Sequence, residues 1–168
     1  MPGLARSIFA VLLLVWFGQP AYAVTAERHM VAAAHPLAAE AGRQILRAGG
    51  TAVDAAVAVQ AVLGLVEPQS SGIGGGAFLL HWDNAGKQTT AYDGRETAPA
   101  SVTPDLFLKP DGRPLGFREA FTGGRSVGVP GVIAMLALAH EKHGKLAWAD
   151  LFAPAIALAE NGFPVSAR

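Results

Sequence analysis

Residues Ala55 to Val66 contain one polar side chain, Gln60, and no other stretch constrains the fold as much. A helix that is apolar around its whole circumference must be covered around its whole circumference. Its alanines allow neighbouring elements to approach closely. The start is marked too. Thr51-Ala52-Val53-Asp54 reads as a capping pair, with the carboxylate at the favourable, positive end of the helix. Pro68 ends the run. The chain is therefore expected to build one domain around a central helix.

The flanking pattern supplies further elements, but too few to cover most of that helix within this chain. Val31 to Ala34 is small and apolar and stops at His35-Pro36, which predicts a short buried strand. Pro36 suits the first turn of a helix. Leu37, Ala41 and Ile45 then recur every fourth residue, with Glu40, Arg43 and Arg47 on other faces, and Gly49-Gly50 closes that helix. Ala77 to Trp82 and Thr89 to Tyr92 read as strands around the turn signal Asp83-Asn84-Ala85-Gly86. Ala98 to Thr122, with its prolines and Asp111-Gly112, reads as loop apart from a turn at Pro104 to Leu108. Gly128-Val129-Pro130-Gly131 leads into a helix from Val132 to about Lys142, ended by Gly144. A last helix, Trp148 to Glu160, is distorted at its start by Pro154 and ended by Asn161-Gly162. Two strands are marginal without further strands or a covering helix layer, so the chain reads as part of a larger fold.

The first 23 residues stand apart. Arg6, the apolar run Ile8 to Phe17 and the small-x-small site Ala21-Tyr22-Ala23 have the order of a secretory signal peptide. The run is shorter than the roughly 20 residues that span a bilayer. Cleavage after Ala23 removes one base and no acid, so the balance of 13 basic and 13 acidic residues becomes a net charge of −1. With no basic stripe, nucleic acid is excluded as a partner, and no membrane contact is expected after cleavage. The chain has no cysteine. An exported chain without disulfides, thiol nucleophile or thiolate metal site must hold together by its core, which suits an enzyme of the periplasm or the external medium.

Ser70-Ser71-Gly72-Ile73-Gly74-Gly75-Gly76-Ala77-Phe78 places four glycines in five positions, a backbone that passes very close to something or takes dihedrals other residues resist. Gly72, Gly74 and Ala77 fit a dinucleotide fingerprint formally. That motif needs a strand before it and a helix after it, and here the order is reversed. The histidines at 29, 35, 81, 140 and 143 form no metal pattern. His140 and His143 lack the i, i+4 spacing of a helical ligand pair and read as ordinary surface residues. His35, before a proline, reads as a satisfied structural group. Ser70 and Ser71 have no activating elbow, and nothing in the spacing of Glu67, Asp93 and Glu96 sets up paired-carboxylate chemistry. No nucleophile is visible. Arg95, in Asp93-Gly94-Arg95-Glu96, is open to two readings: its acidic neighbours neutralise it on a turn, or a strand end presents its planar fork to a substrate carboxylate, with Asp93 or Glu96 orienting it.

Four segments decide the wider reading: MVAAAHPLAAEAGRQILRAGGTAVDAAVAVQAVLGLVEPQSSGIGGGAFLL, DGRETAP, SVGVPG and LFAPAIALAENGFPVS. In order, content and spacing, the sequence from about Met30 onward resembles the N-terminal, large-subunit part of the gamma-glutamyltransferases, or glutathione hydrolases. The resemblance implies an α+β fold, the four-layer α-β-β-α sandwich of N-terminal-nucleophile hydrolases, with residues 24–168 as the helix-rich N-terminal part. It implies that Arg95 binds the α-carboxylate of a gamma-glutamyl donor, and that Ser71 and Gly72 to Gly76 lie in the core near the active site without a catalytic role.

In such enzymes one precursor cuts itself and exposes a threonine at the start of a small subunit. The threonine hydroxyl takes the gamma-glutamyl group from glutathione and passes it to water, an amino acid or a peptide, without a metal or organic cofactor. That threonine belongs downstream, so these 168 residues are expected to be a fragment that catalyses nothing alone. A relative with another acyl donor, such as a cephalosporin acylase or a capsule transpeptidase, is the close alternative. A non-catalytic exported module for glutamate-like ligands is the distant one.

Overall fold

The computed structural model describes residues 25–166, so the signal-peptide reading of residues 1–23 lies outside the described residues. Contacts divide the chain into Met1–Met30 and Val31–Arg168. Of the first unit, residues 25–30 are described, exposed and without regular structure. The second unit carries every element below.

Helix α1 is Pro36–Arg47 and α2 is Ala52–Val66. Strands β1, Ala77–Asp83, and β2, Gln88–Gly94, form an antiparallel hairpin in which Ala77 pairs with Gly94 and Trp82 with Thr89. After a long loop come α3, Phe117–Phe121, and α4, Val132–His143. A 3-10 turn, Trp148–Phe152, runs into α5, Ala153–Asn161. Among the described residues no helix is long and apolar enough to cross a membrane.

The central helix is α2, as its composition demands. Val53, Ala55, Val57 and Ala58 pack with Tyr92, Val132, Met135, Leu136 and Leu151 on one side. Val62 and Val66 pack with Ala38, Ala41 and Ala155 on the other. A side chain at Gly42 would come within 2.7 Å of Val59 and 2.9 Å of Val31, so α1 lies very close to α2. Gln60, the one polar side chain in the run, donates to Ser71 Oγ at 2.8 Å.

The capping pair forms as expected. Thr51 Oγ1 accepts from Asp54 N at 3.2 Å, and Asp54 Oδ2 accepts from Thr51 N at 2.7 Å. Asp54 does more than cap. Its side chain is wholly buried and also accepts from Lys145 N at 3.0 Å and Leu146 N at 3.4 Å, tying the start of α2 to the segment after α4.

Three expectations need correction. Val31 to Ala34 is not a strand, because no described strand runs beside it to pair with its backbone. The 98–122 region contains α3, too short and exposed to show a periodicity; Glu119 holds its first turn by accepting from Gly116 N at 2.9 Å and pairing with Lys109 at 3.3 Å. His140 and His143 are not ordinary surface residues. His140 Nε2 lies 2.9 Å from Leu146 O and 3.4 Å from Asp54 Oδ1, and His143 Nε2 lies 2.7 Å from Tyr92 Oη.

The hairpin is two-faced. Ala77, Leu79 and Tyr92 turn toward α4 and the core, while Phe78, Leu80 and Trp82 remain 68%, 74% and 54% exposed.

Candidate functional site

The end of β2 is gripped from several sides, and the glycines allow it. A side chain at Gly76 would meet Glu96 Oε2 at 2.6 Å and both Arg95 Cα and Gly94 O at 2.8 Å. One at Gly131 would meet Gly94 O at 2.5 Å and Arg95 O at 2.8 Å. Contacts that short are not compatible with any residue larger than glycine. Beyond the grip, Thr97 and Val129 exchange backbone hydrogen bonds of 3.2 and 2.8 Å. Gly75 O accepts from Gly131 N at 3.1 Å and Val132 N at 3.2 Å, which joins the glycine loop to the start of α4.

The close approach expected of the glycine cluster is therefore to the protein's own Gly94–Glu96 backbone. It is confined to part of the cluster. A side chain added at Gly72 or Gly74 would meet nothing within 4 Å. Residues 72–74 are exposed rather than in a core, because among the described residues no layer covers them.

Arg95 leaves this grip with its side chain 58% exposed and its Nη1 3.2 Å from Glu96 Oε2. The contact is ionic. Glu96 Oε2 itself is buried and makes no hydrogen bond. Asp93 acts on the backbone instead, accepting from Arg95 N at 2.9 Å through Oδ1. One acid touches the guanidinium and the other shapes the turn that presents it. Most of the five N–H donors of Arg95 remain open to a ligand.

Arg95 and Glu96 form one end of an open cleft of about 400 Å³, shared with Thr97, Phe107, Arg125 and Val127. Arg125 was not singled out from the sequence. Its place in Gly123-Gly124-Arg125, close before the Gly128–Gly131 corner, was the available signal. His35 behaves as read, its Nδ1 accepting from Leu37 N at 3.2 Å at the head of α1. Ser71 is occupied by Gln60, and its backbone N and that of Ser70 donate to Glu67 O. Neither serine has a base against it. No group of three or more potential metal ligands occurs among the described residues.

The geometry is a cationic side chain just past a strand end, beside an open cleft. A helical layer against a sheet with one face still open is part of the α+β architecture of the N-terminal-nucleophile hydrolases. Known proteins agree. The family profile "Gamma-glutamyltranspeptidase" matches residues 38–168. A glutathione hydrolase proenzyme of Bacillus subtilis is 50% identical over 136 residues, 81% of this chain and 23% of that protein. The crystal structure of Helicobacter pylori gamma-glutamyltranspeptidase superposes with a TM-score of 0.79 at 36% identity, over 86% of this chain and 41% of that one. A cephalosporin acylase from Bacillus halodurans is similar less closely, with a TM-score of 0.66 at 34% identity over 90% of this chain and 28% of that one. The chain belongs to the gamma-glutamyltranspeptidase family. It spans about a quarter of the length of the curated relatives it matches.

Proposed function

We propose that this chain supplies the donor-carboxylate site of a gamma-glutamyltransferase that also acts as a glutathione hydrolase. Arg95 carries the reading: a guanidinium on a clamped strand end, partly shared with Glu96 and otherwise open. Two parallel N–H donors of such a fork match the two oxygens of a donor's α-carboxylate. Glu96 and the Asp93-supported backbone keep the fork from swinging away. The gamma-glutamyl group of glutathione, or of a related compound, then passes to water, an amino acid or a dipeptide.

The acyl carrier in this reading is a threonine at the start of a small subunit released from the same precursor. Its own amine is the base. It lies in the part of the relatives' length that this chain does not span. With that threonine outside these residues, the chain alone is expected to be inactive. The charged start, apolar run and small-residue site within residues 1–23 support export to the periplasm or the medium.

Arg95→Ala in the complete protein tests the assignment. The KM for gamma-glutamyl donors should rise about a hundredfold, the loss of a charge-assisted pair worth roughly 2–3 kcal/mol. An unchanged KM would sink it. Competition between gamma-glutamyl and glutaryl amides separates the second reading, a related acylase, which the likeness to the cephalosporin acylase supports. Preference for glutaryl amides would favour the acylase.

A further inference from the structure

The position of Arg95 depends on how β2 is seated. The helix that packs against both strands is α4. Ala77, Leu79 and Tyr92 pack with Val132, Met135 and Leu136 of α4, and beside this apolar contact lies a polar and aromatic cluster. His143 Nε2 lies 2.7 Å from Tyr92 Oη across the helix–strand gap. The His81 ring, from β1, lies flat on His143 with centroids 3.9 Å apart and 17° between planes. Lys142 Nζ stands 5.7 Å from the centre of the Tyr92 ring. His81 Nδ1 is buried without a hydrogen-bond partner. One carboxylate, Asp83 at the end of β1, acts on His143 from the other direction.

Two neutral imidazoles stack without electrostatic cost, and neutral His143 can accept a hydrogen bond from the Tyr92 hydroxyl on Nε2. Two imidazolium rings face to face at that distance repel, and Lys142 adds a third positive charge. A protonated His143 also reverses the bond to Tyr92, whose oxygen must then accept. Burial first, then His81 and Lys142, hold the His143 pKa below its ordinary 6.5, with Asp83 opposing.

We propose that His81 and His143 are positioning residues for Arg95: their stack is an acid-labile clamp that seats the hairpin on α4 through Tyr92 and so sets where β2 delivers the guanidinium. The catalytic consequence rests on the proposed role of Arg95; the clamp does not. A depressed folded-state pKa makes the clamp's contribution complete above the unfolded-state value of about 6.5 and lost as pH falls through the lower folded value.

The test compares wild type with His81→Phe, which keeps a ring in the stack and removes its charge. Amide exchange, corrected for intrinsic rates, is read at Tyr92 and Gly94 in the complete protein. From about pH 7.5 to about pH 5, wild-type protection should fall, and the variant's should fall by less than about half as much on a logarithmic scale. A parallel fall, or none in wild type, overturns the proposal. Should His81→Phe not fold, Tyr92→Phe, which removes the hydroxyl that meets His143, takes its place: a flattened pH dependence upholds the clamp, and a fall as steep as wild type overturns it. The donor KM of wild type should rise with acid more steeply than that of the variant. If Arg95→Ala leaves KM unchanged, the proposed function falls while the exchange data still decide the clamp.

Discussion

Two histidines three residues apart on α4 hold two parts of the molecule by opposite means. His140 faces the helical side, against Leu146 O and the buried carboxylate of Asp54, where a positive charge on the ring would meet an acceptor. His143 faces the hairpin, against a tyrosine and another histidine, where a positive charge would be opposed by Lys142. The helical junction has an anion built in. The hairpin junction has only Asp83 nearby. The difference teaches that one helix can anchor a permanent core and a conditional strand through the same side-chain type. What decides is the partner.

The sharpest way to break the comparison is to remove the anion. Asp54→Ala takes a wholly buried acceptor away from the Thr51, Lys145 and Leu146 N–H groups, and each lost bond to the carboxylate costs about 1–3 kcal/mol. Denaturation of the complete protein should show a loss of roughly 3 kcal/mol or more. A loss no larger than that of an ordinary surface substitution would make Asp54 a helix cap and nothing else.

Next come the glycines. Gly131→Ala drives a methyl into Gly94 O and Arg95 O and should cost about 1–3 kcal/mol while raising the donor KM. Gly72→Ala meets nothing within 4 Å and should stay within about 0.5 kcal/mol. Equal effects would show that the Gly94–Glu96 grip is not what the cluster serves.

The smallest effect lies far from either junction. Glu40 is partly exposed on the surface of α1, and its hydrogen bonds to Arg43 and then to Gln44 hold its carboxyl at about 2. Arg43→Ala should return the Glu40 midpoint toward the ordinary carboxylate range in an NMR titration. Because the folded pKa is depressed, any stability from this pair is present at neutral pH and fades only as pH falls toward 2. An exposed pair of this kind contributes little, and the melting temperature should barely move.

Much of the site could be read from residue order. Gly94-Arg95-Glu96 after a strand, and glycines dense enough to demand a close approach, both pointed to where the guanidinium sits. The object of the approach was not legible, since Gly76, Gly94 and Gly131 meet only after the hairpin and the Gly128–Gly131 corner fold together. The α4 histidines were misread for the same reason. Spacing along one helix says which side chains share a face, not what the neighbouring element brings to it. Tyr92 and His143 are 51 residues apart, and Asp54 and Lys145 are 91 apart.

By itself the sequence determined the elements whose causes are local: the capped apolar helix α2, the amphipathic α1, the hairpin turn at Asp83, the proline and glycine stops and the family to which the chain belongs. Tertiary structure alone decided that Asp54 joins two distant segments, that His140 and His143 work in different settings, and that Gly76 and Gly131 clamp Arg95 while Gly72 stands free. Local propensity acts over a few residues, whereas burial and charge pairing are settled only when distant segments meet.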